Sequence, residues 1–305
     1  MIAALAGGVG AARFLTGLTQ LVREEDLTVI ANTGDDIELF GLHISPDIDI
    51  VTYTLAGIVD EEKGWGIRGD TFQCLDMLKK QGLDTWFSLG DRDFATHIYR
   101  TDRLNQGFNL SQITSEISQN LGLKIKILPM SNDKFETRVI TSNGSMHFEE
   151  YFVKRQCKDE VLAVEFVGAT TAKPSPGVLE AILNAQVVII CPSNPVVSIG
   201  TILAIDGVKD SLKQTKARIV GVSPIVAGLP IKGPADKMLR GLGLEVSAFG
   251  VAQFYADFLD TFVIDIKDIG AKNRIENLGI KVKVVNTVMR SLDDKVSLAR
   301  AVLET

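Results

Sequence analysis

Apolar segments separated by glycine-rich or polar turns open the chain. Residues 2–6 form an apolar run that ends in Gly7-Gly8-Val9-Gly10, and residues 27–31 form a second run that ends in an Asn-Thr-Gly-Asp-Asp turn at 32–36. Between these runs, apolar residues recur at the spacing of one helix face: Phe14, Leu15, Leu18, Leu21 and Val22. Strand, glycine turn, helix and strand make a βαβ unit, which predicts a parallel sheet.

The same alternation returns late in the chain. A helical segment at 179–183 precedes an apolar run at 187–191, which stops at Pro192-Ser193-Asn194-Pro195, and a further run at 219–222 stops at Ser223-Pro224. Both runs are continuously apolar, as strands covered on both faces must be. The pattern therefore predicts an α/β fold with a Rossmann-like, doubly wound parallel sheet.

The middle of the chain has a different pattern. Its strand-like segments are separated by turn signals such as Ser142-Asn143-Gly144, which is typical of antiparallel pairs. These segments are 124–128, 135–141, 146–153 and 162–167. We therefore predict that residues 123–171 form a smaller mixed or antiparallel lobe, inserted into a nucleotide-binding core made of residues 1–122 and 172–305.

Composition narrows the class of protein. No apolar run reaches the roughly 18 residues that a membrane span needs, so no membrane association is expected. The 32 basic and 38 acidic residues give a formal charge of −6, which argues against a general nucleic-acid binder. Cys74, Cys157 and Cys191 form no CxxC pair, so neither a disulfide framework nor a zinc site is indicated. We expect a cytoplasmic protein.

The glycine turn at residues 7–10 is a candidate phosphate site. Glycines between a strand and a helix let the backbone approach a phosphate, and the helix N-terminus offers free N–H groups with partial positive charge. No Gly-Lys-Ser/Thr follows, and Arg13 stands where a Rossmann sequence has its third glycine. A tight turn packed on the sheet is the alternative interpretation. The position directly after the first strand favours phosphate binding.

Four carboxylates follow the second strand within a short stretch. Asp35 and Asp36 end the strand, and Asp47 and Asp49 lie two residues apart in the next segment. Such acids can hold ribose hydroxyls, or a magnesium ion that carries substrate phosphates. They are also ordinary turn and helix-capping residues. We favour a ligand role because ligands of open α/β sheets bind outside the carboxyl ends of the strands.

Three further segments offer polar groups. Arg92, between two aspartates, forms either an ion-pair knot or a phosphate clamp, and His97 is expected to be a hydrogen-bonded structural residue. The loops at Ser193-Asn194 and Ser223 follow buried strands at the same predicted edge as the glycine turn. Prolines fix both loops, while their side chains and N–H groups offer hydrogen bonds to a base or phosphate.

Taken in order, these motifs resemble the 2-phospholactate transferase family, which makes the phosphodiester of the deazaflavin coenzyme F(420). The motifs are GGVGAARF, NTGDD, SPDIDIVTYTLAG, GWGI, LGDRDFATH, PSNPVVSIG and SPIVAG, and they extend over nearly the whole chain. The resemblance implies a phosphotransferase. It would move a 2-phospholactate or phosphoenolpyruvate group from a guanosine-diphosphate-activated donor to the ribityl hydroxyl of 8-hydroxy-5-deazariboflavin (Fo), releasing GMP with the help of Mg²⁺.

The resemblance also implies roles for individual residues. Asp35 and Asp49 would be catalytic and hold the metal, with Asp49 also contacting substrate. Arg92 would offset diphosphate charge, and Trp65 would contact the deazaflavin ring. The remaining residues would bind the nucleotide: Gly8, Val9, Gly10, Ser193, Asn194 and Ser223. We expect the protein to be a homodimer.

Two other classes of protein share part of the pattern. A nucleotide-sugar-binding regulator resembles the glycine-rich start, but it gives no reason for the second carboxylate pair or for the Gly-Asp-Arg-Asp stretch. An NAD-dependent oxidoreductase predicts a complete GxGxxG and a single acid at the end of the second strand. The transferase therefore explains more of the sequence than either alternative.

Overall fold

The computed structural model describes residues 1–305, and a seven-stranded sheet lies at its centre. All neighbouring strands of this sheet are parallel, in the order β14-β13-β10-β9-β1-β2-β5. The strands are β1 (Ile2–Ala6), β2 (Leu27–Ala31), β5 (Lys126–Pro129), β9 (Val187–Ile190), β10 (Arg218–Val222), β13 (Thr261–Asp265) and β14 (Lys281–Val285). The prediction of a parallel α/β sheet is confirmed.

Three small antiparallel sheets surround the central one. They comprise the hairpin β3 (Ile37–Leu39) and β4 (Leu42–Ile44), the pair β11 (Ile225–Val226) and β12 (Leu229–Pro230), and the lobe strands β6 (Glu136–Thr141), β7 (Gly144–His147) and β8 (Ala163–Val167).

Twelve α-helices connect the strands. They are α1 (Gly8–Leu18), α2 (Pro46–Leu55), α3 (Gln73–Lys80), α4 (Asp91–Asn105), α5 (Leu110–Asn120), α6 (Val178–Leu183), α7 (Thr201–Leu203), α8 (Val208–Gln214), α9 (Ala235–Gly241), α10 (Ala248–Tyr255), α11 (Lys272–Glu276) and α12 (Leu292–Leu303). Short 3₁₀ turns lie at Glu24–Asp26 and Ile266–Ala271, and π-helical turns lie at Glu150–Lys154 and Pro195–Gly200. No helix combines the length and the apolar character that crossing a membrane requires.

Helices cover both faces of the central sheet, which explains its continuously apolar strands. Alternate residues of one strand enter two separate cores: Val188 and Ile190 of β9 belong to a core that includes α6, α8 and α10, whereas Ile189 belongs to a core that includes α1, α2 and α12. Because both cores are dry and apolar, neither face of β9 tolerates a polar side chain.

The strand order reverses at β1. From β1 the chain runs outward through β2 to β5, and it then returns to build β9, β10, β13 and β14 on the other side. The loops that leave β1 and β9 therefore diverge to opposite faces and open a crevice at the carboxyl ends of these strands, where doubly wound folds bind their ligands.

The inserted lobe is smaller than the sequence pattern predicts. Residues 126–129 fall in the predicted lobe, yet they form β5 and pair in parallel with β2. The lobe's own sheet has only the order β7-β6-β8, and a π-helical turn replaces the predicted strand at 150–153. The start of the lobe is thus corrected to a position after Pro129. A two-residue periodicity identifies a strand but does not identify the strand with which it pairs.

Candidate functional site

A cleft of about 420 Å³ opens at the carboxyl ends of β1 and β9. Its walls come from the glycine turn, the first turn of α2, residues 65–66, α4, the segment after β7, the loop after β9, and residues 231–235. The cleft therefore occupies the crevice that the strand order creates. Its volume lies in the range of small-molecule sites.

The glycine turn packs closely against the loop that follows β9. The backbone N–H of Gly7 donates to Ser193 Oγ (3.2 Å). A Cβ atom at Gly10 would overlap the carbonyl oxygen of Pro192, so only glycine permits this approach. The first N–H groups of α1 have no partners within the helix; that of Gly8 donates to Asp47, and Val9 and Gly10 line the cleft. This backbone is suited to a phosphate.

Five of the six predicted nucleotide-binding residues line the cleft, namely Gly8, Val9, Gly10, Ser193 and Asn194. The amide oxygen of Asn194 accepts from the N–H groups of Val196 (3.0 Å) and Val197 (3.3 Å), which leaves its NH₂ group for a ligand. These placements agree with the predicted roles, which stay predictions.

Ser223, the sixth residue, lies outside the cleft. Its hydroxyl donates to the carbonyl of Ile225 (2.9 Å) and accepts from the Ile225 N–H (3.2 Å), so it closes its own turn. The neighbouring Pro224 lines the cleft instead. The prediction for Ser223 is corrected because a hydroxyl that a turn already uses has no donor left for a nucleotide.

Three buried carboxylates, Asp35, Asp47 and Glu149, line one part of the cleft, and we call them the carboxylate cluster. Asn32 Nδ2 donates to both Asp35 Oδ2 (3.1 Å) and Asp47 Oδ2 (2.9 Å). The Asn32 carbonyl accepts from Gly34 N–H and Thr201 Oγ1, each at 2.7 Å, which fixes the orientation of the amide. One asparagine therefore holds two carboxylates side by side.

No Lys or Arg offsets the charge of the carboxylate cluster. Burial raises the pKa of Asp35 well above its ordinary value, and the charges of Asp47, Glu149 and Asp36 raise it further. Burial raises the pKa of Asp47 to about 6 against hydrogen bonds from Asn32 and the Gly8 backbone. Burial, with the charges of Asp47 and Asp36, raises the pKa of Glu149 to about 8. A cluster of this kind retains protons near neutral pH unless a cation replaces them.

Glu149 comes from the inserted lobe, and a neutral histidine, His147, holds it at the cleft. His147 Nε2 donates to the carbonyl of Asp36 (3.1 Å), while its Nδ1 accepts from the Glu149 N–H (3.1 Å). Burial lowers the pKa of His147, which agrees with this neutral tautomer. The histidine thus joins the lobe to the loop after β2 and fixes the backbone of Glu149.

Asp49 has a different environment from the one predicted. Both of its oxygens accept from the guanidinium of Arg100, at 3.1 Å for the Nη1–Oδ2 bond and with a shorter second bond from Nη2 to Oδ1, and Arg100 is completely buried. The structure places Asp47 beside Asp35 and pairs Asp49 with Arg100, although Asp49 also lines the cleft; the metal pair of Asp35 and Asp49 stays a prediction. Asp47 and Asp49 lie on a helix, not on an extended segment, and residues two apart on a helix point to different sides.

The carboxylate cluster fits a magnesium ion that also carries substrate phosphates. One oxygen of Asp35 is buried without any hydrogen-bond partner, and carboxylate oxygens are the ligands that Mg²⁺ prefers. No group of three His, Cys, Asp or Glu side chains is arranged to hold a metal by itself. Binding of Mg²⁺ therefore stays a prediction, in which one or two carboxylates would act together with phosphates and waters.

Aromatic side chains also line the cleft, and we call them the aromatic wall: Trp65, Phe87, Phe148 and Phe152. The rings of Phe148 and Phe152 stack at 5.7 Å with an angle of 11°. Such a wall accommodates a flat heterocycle. The contact predicted between Trp65 and the deazaflavin ring stays a prediction.

Arg92 is exposed and does not line this cleft. Its guanidinium donates to the carbonyl of Arg68 (3.2 Å), and its N–H donates to the carboxylate of Asp70. The predicted contact between Arg92 and the diphosphate is therefore corrected, because the first turn of α4 directs Asp93, and not Arg92, towards the cleft.

Two cationic side chains line the cleft, Arg13 and Lys232, and neither forms a salt bridge. Lys232 Nζ donates to the carbonyl of Lys63 (2.9 Å), which places it across the mouth of the glycine turn. Burial, and then the charge of Arg13, lowers the pKa of Lys232. Two like charges that lack carboxylate partners form a site for an anion.

Sequence reasoning missed several of these residues. Arg13 and Asp93 lie inside motifs that the sequence presents, but the direction of a side chain depends on helix phase. Glu149 and Lys232 carry no motif, and they reach the cleft only through the packing of the lobe and of the loop after β12.

Fold and cleft together define an α/β protein with a parallel, doubly wound sheet and a carboxylate-rich cleft at the carboxyl ends of its strands. Comparisons with known proteins identify its family: the profile described as 2-phospho-L-lactate transferase CofD matches residues 2–294, and the chain belongs to this family. A phosphoenolpyruvate transferase of Streptomyces griseus is 47% identical over 99% of this chain and 97% of its own length. A 2-phospho-L-lactate transferase of Methanothermobacter thermautotrophicus is 42% identical over 99% and 97%.

A solved structure supports the fold alone. A UPF0052 family protein of Bacillus halodurans superimposes with a TM-score of 0.64 and 17% identity, over 99% of this chain and 98% of that one. The resemblance stated from the motifs is confirmed by the family match, and the protein is a transferase enzyme.

Proposed function

We propose that this transferase moves a three-carbon phosphoester, 2-phospholactate or phosphoenolpyruvate, from a guanosine-diphosphate-linked donor to the ribityl hydroxyl of Fo, with release of GMP. One observation carries the proposal: a single cleft joins a phosphate-accepting glycine turn, a carboxylate cluster without cations, and an aromatic wall. These are the three environments that a diphosphate, a reacting hydroxyl with its metal, and a flat acceptor ring require.

The donor's diphosphate is assigned to the glycine turn. The N–H groups at the start of α1 donate hydrogen bonds to the phosphate oxygens, and Arg13 and Lys232 offset the phosphate charge. The Asn194 NH₂ group and the loop after β9 flank this position. Mg²⁺, held by Asp35 and Asp47, would neutralise charge on the phosphate oxygens.

The acceptor's ring is assigned to the aromatic wall, and its ribityl chain extends towards the carboxylate cluster. The ribityl oxygen forms a bond to the phosphorus that bears the three-carbon group. The bond from this phosphorus to the bridging oxygen breaks, and GMP leaves with the electron pair. The hydroxyl proton passes to a carboxylate of the cluster in its ionised form. Phosphoryl transfer needs mainly positioning and charge neutralisation, which these groups provide.

Both donors fit the relatives' names, since similar chains are described as phosphoenolpyruvate transferase or as 2-phospho-L-lactate transferase. The homodimer expected from the sequence remains a prediction, because no part of this cleft requires a second copy of the chain.

The test is a turnover assay with Fo, Mg²⁺ and each of the two donors in turn. We expect GMP and a phosphodiester of Fo to form in equal amounts, and one donor to give the higher kcat/KM. A preceding fluorescence titration of Fo, with and without GDP and Mg²⁺, checks binding of the acceptor. Absence of GMP with both donors, or an Fo signal that never saturates, would refute the proposal.

A further inference from the structure

Helix α4 presents two polar side chains to the aromatic part of the cleft, Asp93 and His97. They stand four residues apart, so they lie one above the other on the same helix face. Both are buried, with 6% and 2% of their surface exposed, and both line the cleft beside Trp65 and Leu89. Neither has a role in the phosphate chemistry described above.

The side chain of Arg100 fixes the tautomer of His97. Arg100 Nη1 lies 3.2 Å from His97 Nδ1, and because a guanidinium can only donate, Nδ1 must accept. The neutral ring therefore carries its proton on Nε2, which has no hydrogen-bond partner within the protein. Burial lowers the pKa of His97 to about 4, in agreement with a neutral ring. His97 thus offers one N–H donor to the cleft.

Asp93 offers the complementary acceptor. Its Oδ2 accepts from the Gly90 N–H (3.2 Å) and completes the capping of α4, whereas Oδ1 accepts no hydrogen bond from the protein. Residue 66 is a glycine, and a Cβ atom there would lie 3.5 Å from Asp93 Oδ2, so backbone approaches the carboxylate closely on this side. The Tyr53 hydroxyl, which has no other partner, lies near the same carboxylate and also lines the cleft.

We infer that Asp93 and His97 recognise the imide edge of the acceptor's pyrimidinedione ring, Asp93 accepting from the ring N–H and His97 Nε2 donating to the adjacent carbonyl. This inference rests on the proposed function. A guanine base also presents an N–H beside a carbonyl. The donor's diphosphate, however, occupies the glycine turn, whereas Asp93 and His97 share their wall with Trp65 and Leu89, where the acceptor ring is assigned.

Recognition of this edge is testable by changing both the ligand and the protein. The ligand pair is Fo and its derivative methylated at the imide nitrogen, with affinities measured by deazaflavin fluorescence. In the unchanged protein we expect methylation to weaken binding roughly tenfold or more, because it removes the N–H and leaves a buried acceptor unpaired. GDP affinity serves as the internal reference.

Two substitutions remove the complementary groups and keep the shape of the side chains. Asn at position 93 can still cap α4 through its amide oxygen but presents NH₂ to the ring, so D93N should bind Fo roughly tenfold more weakly and no longer distinguish the methylated ligand. H97F should weaken both ligands alike, whereas H97Q retains a donor and should recover part of the affinity. D102N, on the exposed side of the same helix, is the matched control and should bind as the unchanged protein does.

The outcomes separate the inference from the proposed function. Equal binding of Fo and its methylated form by the unchanged protein would overturn the inference while leaving the transferase proposal intact. Loss of GDP affinity in D93N with unchanged Fo affinity would assign the pair to guanine and also overturn it. Failure of Fo to bind the unchanged protein at all would refute the proposed function itself. Thermal melting of each variant shows that a loss of binding is not a loss of fold.

Discussion

Asp47 and Asp49 lie two residues apart on the first turn of α2, and both are buried, yet their surroundings are opposite. Asp49 accepts two hydrogen bonds from Arg100, a completely buried cation. Asp47 receives hydrogen bonds only from neutral groups, Asn32 and the Gly8 backbone, and faces Asp35 and Glu149. The same residue type on the same helix turn is therefore neutralised in one case and uncompensated in the other.

The comparison shows how burial distinguishes a structural charge from a functional one. A buried carboxylate that already has a cation can give nothing to a ligand without breaking an ion pair, and it serves to fix neighbouring elements, here α2 and α4. Buried carboxylates without a cation are unfavourable in the free protein, and a metal or a proton relieves them. A cation or protons would relieve the carboxylate cluster, whereas the Asp49–Arg100 ion pair, which we call the frame, is already neutralised.

Removal of Arg100 from its ion pair with Asp49 should have the largest effect on stability. R100M leaves Asp49 buried without a partner and removes the donor to His97, and we expect it to lower the free energy of unfolding by about 3–5 kcal/mol. Denaturant-induced unfolding measures this loss. R103M removes an ion pair with Glu116 that is partly exposed to solvent, and this control should cost at most about 1 kcal/mol. Equal losses of unfolding free energy in R100M and R103M would contradict the distinction between the buried and the partly exposed ion pair.

Neutralising the carboxylate cluster should affect activity and not stability. D47N and D35N keep a polar side chain at each position but remove the charge that would hold the proposed metal ion. We expect kcat to fall by about 10²–10³-fold while the melting temperature stays equal or rises, because a buried repulsion is relieved. A turnover assay and a thermal melt on the same samples make the measurement. A melting temperature that falls as far as it does in R100M would show that Asp47 belongs to the frame.

The sequence predicts those features of the fold and the site that depend on residues close together in the chain. The apolar runs and the glycine turn give the parallel sheet and its crevice, because a strand covered on both faces has no other pattern. The ordered motifs identify the family. Both Asp47 and Asp49 line the cleft, and which of them is neutralised depends on helix phase and on Arg100, a residue about fifty positions away that no motif marks. Glu149 reaches the cluster only through the packing of the lobe and His147.

The smallest expected effect, and the most specific one, concerns pH. The pKa of Glu149 is raised from 4.5 to about 8 and that of Asp47 from 3.8 to about 6, so the folded protein holds protons that the unfolded chain has lost. The free energy of unfolding must therefore fall as pH rises through this window. The pKa values of His97 and His147 are lowered, so below about pH 6.5 these residues make the free energy of unfolding rise with pH. The effect of the carboxylates is therefore best measured between pH 6.5 and 8.

Melting temperatures across pH 6.5–8, with and without Mg²⁺, measure this effect. Without Mg²⁺ the melting temperature should decline as pH rises, and E149Q should flatten the decline because Gln binds no proton in either state. Mg²⁺ should stabilise the protein more at pH 8 than at pH 6.5, since a cation that competes with protons gains affinity as they leave. E116Q, which alters an exposed carboxylate, is the matched control and should keep the original slope. A stabilisation by Mg²⁺ that is equal at both pH values would mean that the ion binds elsewhere. The carboxylate cluster would then be neutralised by protons and not by a metal.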